Sequence, residues 1–255
     1  AIDRKDLINE VLFGYATEVT GPIPPGSLGY TQKEEIISTS TKNNIKQAQE
    51  ILENADWEKG EDGIYIKETK NETLRLSFSI STTEEAPELY AATQILERTW
   101  KQLGAQVESK TFDTKDNLEN HAIRPRDYDI LLFGEIVGVN SDPYAFWHSS
   151  QRLDPGLNIA LYTNITVDNV LEKARTTTDR KEREDHYETF QKEIRNDIPA
   201  IFLYAPQLIY VTRDDIQGMN FFVVNTPSER LANIHTWFIK TQCVWKIFAK
   251  NKTTL

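Results

Sequence analysis

The sequence predicts an α/β fold in which helices pack on a mixed sheet. Segments with apolar residues at the helical period alternate with short runs of strand length along the chain. The clearest strand, residues 73–81, is followed at once by the best-defined helix, residues 84–103. Hydrophobic residues make up 39% of the chain, with 5 Trp, 10 Tyr and 11 Phe, enough for a packed core and too many for a disordered chain.

Residues 1–12 read as a helix, with Leu7, Ile8, Val11 and Leu12 on one face. Gly21-Pro22-Ile23-Pro24-Pro25-Gly26 is a rigid loop, because each proline fixes φ and removes a backbone donor. Residues 43–54 carry Ile45, Ala48, Ile51 and Leu52 on one helical face, with Trp57 expected to seal the end. A turn at 59–63 leads to a short strand at 63–67. Residues 73–81 alternate (Leu74, Leu76, Phe78, Ile80) as a half-buried strand does, and the two strands are expected to form a hairpin.

The helix at 84–103 repeats Leu89, Ala92, Ile95, Leu96, Trp100 and Leu103, and Gly104 closes it. A strand at 107–112, a short helix at 115–122 and a strand at 129–133 follow. That last run is apolar without alternation, which predicts burial on both faces. Residues 167–176 and 180–196 form a helix pair, with Asp179 capping the second. Strands at 201–204 and 208–212 flank Pro206. From Gly218 onward the periodicity weakens.

At 255 residues the chain holds one large domain or two small ones. Its net charge of −10, with no basic cluster, places nucleic acid near the bottom of the candidate partners. Cys243 is the single cysteine, so no internal disulfide is available. No apolar run is long enough to span a bilayer. The chain opens at Ala1 inside a helical pattern, without initiator Met or leader, and so reads as cut from a longer protein.

Catalytic chemistry finds no motif. GxSxG, GxxxxGK[ST], HExxH and GxGxxG are all absent. His121, His148, His186 and His235 lie far apart in sequence, without ligand spacing, and read as surface or satisfied side chains. The adjacent acids Glu84-Glu85 and Asp214-Asp215 diverge in any regular structure. None of these features points to catalysis, a cofactor or a metal, and the expectation is a chain that is not an enzyme.

Several segments in order resemble the peptide/nickel family of bacterial extracellular solute-binding proteins. Ala1-Ile2-Asp3-Arg4 with Leu7-Ile8 is similar to the family's AIDR-x-x-LI stretch, and Gly14 with residues 21–25 resembles its Gly and GPIPP loop. Residues 45–57 are similar to its helix ending at a Trp. Tyr128-Asp129-Ile130-Leu131-Leu132-Phe133-Gly134 resembles its cleft-reaching strand, and Asp142-Pro143-Tyr144-Ala145-Phe146 its DP-x-x-F helix start. Residues 157–163, the helix from Asn164 to Arg175, residues 200–204 and Gly218 match in order and spacing.

The resemblance implies a periplasmic-binding-protein-like lobe of the peptide-binding subclass: residues 1–215 as the second ligand-binding lobe, and 216–255 as a segment returning toward an absent first lobe. In that segment Phe221, Phe222, Trp237, Phe238 and Trp245 either contact the absent half or pack locally. It also implies a monomeric, extracytoplasmic component of an ABC importer, free in the periplasm or anchored as a lipoprotein. Such a component captures a peptide or similar small solute and presents it to a membrane permease. A nickel chelate, an oligosaccharide or a signalling module retaining the fold are the alternatives.

The ligand segment is placed at residues 133–147, with Phe133, Gly134, Glu135, Val139, Asn140, Asp142, Tyr144 and Trp147 as candidate contacts. A strand end followed by a loop and a helix start delivers side chains and free amides to one place. Asp142 also suits a cap, with Pro143 at the first helical position, and Tyr144 and Trp147 suit packing. Peptide-binding members place an acid about three positions before the DP aspartate, to meet the ligand's ammonium; here that position is Val139. Either Glu135 supplies the charge or the ligand has no free amine.

Overall fold

The first helix, α1 (Arg4–Leu12), begins where Asp3 accepts hydrogen bonds from the Lys5 and Asp6 amides, so the expected helix loses its first three residues to its cap. The structure is a computed structural model describing residues 1–30, 41–137, 142–220, 224 and 226–239. The chain divides into two compact units, Ala1–Gln207 and Leu208–Leu255.

After α1 comes β1 (Ala16–Glu18), three residues too short to carry a readable alternation. In the proline-rich loop that follows, Ile23 is buried in the core. The second helix, α2 (Thr41–Asn54), ends where the Trp57 amide donates back to the Leu52 carbonyl at 3.0 Å. Three antiparallel strands follow, β2 (Glu58–Lys59), β3 (Tyr65–Glu68) and β4 (Thr73–Arg75), in the order β2-β3-β4. The expected hairpin is the β3–β4 pair.

The single strand expected over 73–81 is two strands. β5 (Ser77–Thr83) leaves the hairpin and enters a different sheet. Leu76 is the switch: its amide donates to the Tyr65 carbonyl at 2.8 Å, and its carbonyl accepts from the Gln106 amide at 2.9 Å. Side chains keep alternating through an extended residue whatever its partner, so the period hides the change of sheet.

The long helix α3 starts three residues later than expected (Pro87–Leu103), because the Glu84 amide still pairs with the Phe112 carbonyl at 2.8 Å and proline opens the first turn. It stops at Gly104, whose φ is 113°. A Cβ there would lie 2.9 Å from the Tyr65 ring, so both conformation and space call for glycine. β6 (Gln106–Phe112) pairs with β5; α4 (Lys115–Leu118) runs into a π-turn at Glu119–Ile123; β7 (Ile130–Leu131) completes the sheet.

This sheet has the order β6-β5-β7 and is parallel throughout, while the antiparallel pairs sit in separate small sheets. Helix α3 covers one face of β5 through Leu96, Trp100 and Leu103, which pack with Ile80 and Val107. The run at 129–133 is not buried on both faces: Ile130 and Leu131 are half-buried and Phe133 is 45% exposed. As a two-residue edge strand, β7 has a neighbour on one side only. Asp129 ties its start to β5, accepting from both the amide and the hydroxyl of Ser79 at 2.8 Å. Those bonds hold its carboxyl below the usual range.

Three α-helices follow among the described residues of the first unit. α5 (Tyr144–Trp147) is one turn, and α6 (Ile165–Thr176) is capped by Asn164. α7 (Arg180–Asp197) is capped by Asp179, which accepts the Glu182 amide at 2.8 Å as expected. The α6–α7 pair builds a second core from Val167, Leu171, Phe190 and Ile194, joined by Ile23, Trp147 and Tyr162.

Two strands were expected around Pro206. The structure has one, β8 (Tyr204–Pro206), pairing antiparallel with β1, and 208–212 is irregular. Proline has no amide to donate, but it is tolerated at the end of a two-strand edge pair. In the second unit, β9 (Ile216–Gln217) pairs with β10 (Phe238–Ile239), and the Tyr210 and Trp237 rings are 6.3 Å apart. Phe221, Phe222, Cys243 and Trp245 lie outside the described residues.

Candidate ligand-binding site

Parallel strands place all their carboxyl ends on one side of the sheet, and open α/β sheets bind ligands there. In β6-β5-β7 those ends are Phe112, Thr83 and Leu131. One more ladder bond, from the Leu132 amide to the Ser81 carbonyl at 2.9 Å, extends the β7 side. The Thr82 hydroxyl also reaches the Leu132 carbonyl at 3.4 Å. Beyond it Phe133, Gly134, Glu135 and Ile136 are exposed and irregular, and Ile136 is 79% exposed.

A Cβ built on Gly134 meets no atom of the described residues within 4 Å, so packing among them does not demand a glycine there. Surrounding protein pushes the Glu135 carboxyl up, to about 7. The residue as a whole is exposed, and water at its carboxylate opposes that push. Val139 and Asn140 lie outside the described residues.

Asp142, Tyr144 and Trp147 have defined partners. One carboxylate oxygen of Asp142 accepts the Tyr144 amide at 3.0 Å from one position before the helix's N-cap, which is Pro143 rather than the expected Asp142. The other lies 2.7 Å from Arg175 Nε. The Arg175 guanidinium sits over the Tyr144 ring, 4.2 Å from its centroid. The opposite face of that ring stacks on His148 at 4.1 Å and 18°. Held between Arg175 and His148, Tyr144 also has its hydroxyl 3.3 Å from Ser150 Oγ, so its defined contacts lie within the chain. Trp147, 6% exposed, faces the helical core and packs there.

His148 is buried. Its Nδ1 accepts the Ser150 amide at 3.1 Å, which places the proton of the neutral ring on Nε2, facing Glu172 at 3.5 Å and Asp168 at 3.8 Å. Asp168 is already engaged by the Ser149 amide at 2.9 Å and hydroxyl at 2.6 Å. Among the described residues no group of His, Cys, Asp and Glu is arranged to hold a metal ion. Among them, too, no helix is long and apolar enough to cross a membrane.

The family described as "Bacterial extracellular solute-binding proteins, family 5 Middle" matches residues 1–154, well over half of the chain. The chain belongs to that family. The oligopeptide-binding protein AppA of Bacillus subtilis (strain 168) is 26% identical over 240 residues, covering 94% of this chain and 42% of AppA. The nickel-binding protein NikA of Staphylococcus aureus is 24% identical over 209 residues, covering 82% of this chain and 38% of NikA. Two solved structures share the fold. Bacillus subtilis AppA, in complex with a nonapeptide, has a TM-score of 0.70 at 24% identity, over 94% of this chain and 46% of that one. Campylobacter jejuni NikZ with Ni(L-His) has a TM-score of 0.69 at 21% identity, over 92% of this chain and 46% of that one. This family 5 chain thus spans about two-fifths of the length of the curated relatives it matches.

Arg175, Asp168 and Asn158 were not singled out by sequence, and His148 was read only as a surface or satisfied side chain. Their long-range partners lie 10 to 33 positions away (Asn158 to His148, Arg175 to Asp142), although Asn158 also bonds Tyr162 four residues on and His148 bonds Ser150 two residues on. Glu172 and Arg175 lie three apart on α6. Nothing in the sequence told what they meet.

Proposed function

We propose that this family 5 chain is the second ligand-binding lobe of the substrate-binding component of an ABC importer. In this reading residues 1–215 form the lobe and 216–255 return toward its partner lobe, and the whole acts outside the cytoplasm as a binder without catalysis. The observation that carries it is the exposed segment from Phe133 to Ile136 at the carboxyl ends of a wholly parallel sheet. An exposed Phe, a glycine with open space around it and a carboxylate leave room, apolar surface and charge for a solute. Closing a second lobe over them would bury the ligand and give a permease a shape to read.

Peptides are the favoured cargo, with AppA a named oligopeptide binder among the relatives. Glu135 is the group that would meet a peptide's ammonium. Its carboxyl is raised to about 7, so it gains a proton as pH falls through that value and loses its attraction for a cation. Affinity for unblocked peptides, whose amine is charged below about pH 7, should therefore fall on acidification from about pH 7 to about pH 5, while affinity for amino-acetylated peptides stays level. Glu135→Gln should weaken unblocked peptides by about tenfold, roughly 1.4 kcal/mol, and abolish the pH dependence. Titration calorimetry on the full-length protein reads both. Equal effects on blocked and unblocked peptides would remove Glu135 from this role. Binding of Ni(L-His) with no response to any peptide would replace the cargo.

A further inference from the structure

We propose that Arg175 is the positioning residue of the ligand segment, fixing from α6 the point at which that segment rejoins the lobe. The inference rests on the binding reading above. Arg175 follows Ala174 on a helix whose Val167, Leu171 and Ala174 are packed into the core, so its guanidinium departs from a fixed base. It makes two contacts at once, Nε to Asp142 Oδ2 at 2.7 Å and its plane over Tyr144 at 4.2 Å.

Those two residues are themselves joined, since Asp142 Oδ1 accepts the Tyr144 amide at 3.0 Å. Behind Tyr144 stands His148, and the His148 amide closes the single turn of α5 on the Tyr144 carbonyl at 3.0 Å. One side chain thus holds the Asp142 carboxylate and the Tyr144 ring at the start of a helix only four residues long, whose other end is anchored by buried Trp147. Lysine, a compact ammonium, offers neither the directional Nε–H nor the flat cationic face of arginine.

Asp142 and Arg175 are 40% and 50% exposed, and a pair that open to water contributes little to global stability. A positioning role and a merely structural one therefore predict different patterns. Arg175→Ala should shift the melting temperature of the full-length protein by no more than about 3 °C. It should weaken a peptide pool, or Ni(L-His) if that is the probe the wild type binds, by about fivefold. Arg175→Lys keeps the charge without the flat fork and should recover part of that loss. Without any ligand, hydrogen exchange at the Phe146, Trp147 and His148 amides should be about tenfold faster in Arg175→Ala.

Unchanged affinity and unchanged exchange in Arg175→Ala would overturn the proposal. So would an affinity loss that lysine does not reduce. If neither probe binds the wild type, the binding reading fails, and the exchange measurement alone decides whether Arg175 holds this turn.

Discussion

Trp147→Ala is expected to destabilise the first unit by about 3–5 kcal/mol, the largest effect of any single substitution considered. The indole lies in the helical core with its ring centroid 6.0 Å from Phe190, 5.9 Å from Phe202 and 6.4 Å from Tyr162. Deleting it removes the one fully buried anchor of α5 and leaves a cavity among rings that α6 and α7 hold in place. A denaturant titration followed by circular dichroism measures the loss. Trp147→Phe, which keeps an aromatic plane, should retain a good part of the stability. A loss under about 1 kcal/mol in the alanine variant would mean that Trp147 is not a core residue, and would reopen it as a ligand contact.

Asn158→Ala should cost about 2–4 kcal/mol. Asn158 is fully buried, and its side chain closes a loop that no regular element supports. Its amide nitrogen donates to the His148 carbonyl at 3.1 Å and the Tyr162 carbonyl at 3.0 Å, and its oxygen accepts the Tyr162 amide at 3.1 Å. Alanine leaves all three backbone groups without that partner in a buried place. Tyr162 is also fixed at its other end, where its hydroxyl donates to Asp197 at 2.5 Å. The damage should therefore be confined to the 148–162 loop. Asn158→Asp should be at least as harmful, since it keeps the acceptor, removes both donors and buries a charge. A neutral result for either variant would show that the loop closes by other means.

The sequence read well where a single period governs a whole element. Helix α3 with its Gly104 stop and the Asp179 cap of α7 follow from local rules alone. It read poorly where partners decide. The 73–81 run is one alternating pattern, yet Leu76 passes it from one sheet to another. The 129–133 run has the composition of a buried strand, yet it lies at an edge and half of it escapes the ladder. In the candidate site the order of residues placed the 133–147 segment through its family resemblance. The roles inside it needed space: Tyr144 is enclosed between Arg175 and His148, and Trp147 is turned into the core.

The claim at the centre of this account is that the solute meets the lobe at the carboxyl ends of β5 and β7. Hydrogen exchange on the full-length protein, with and without a saturating peptide pool or Ni(L-His), tests it most directly. The account predicts added protection at Phe133 to Val137 and at Thr83 to Glu85, with little change at the amino ends of the same strands, Ser77 and Gln106. Protection gained only at those amino ends, or none anywhere in residues 1–207, would contradict it.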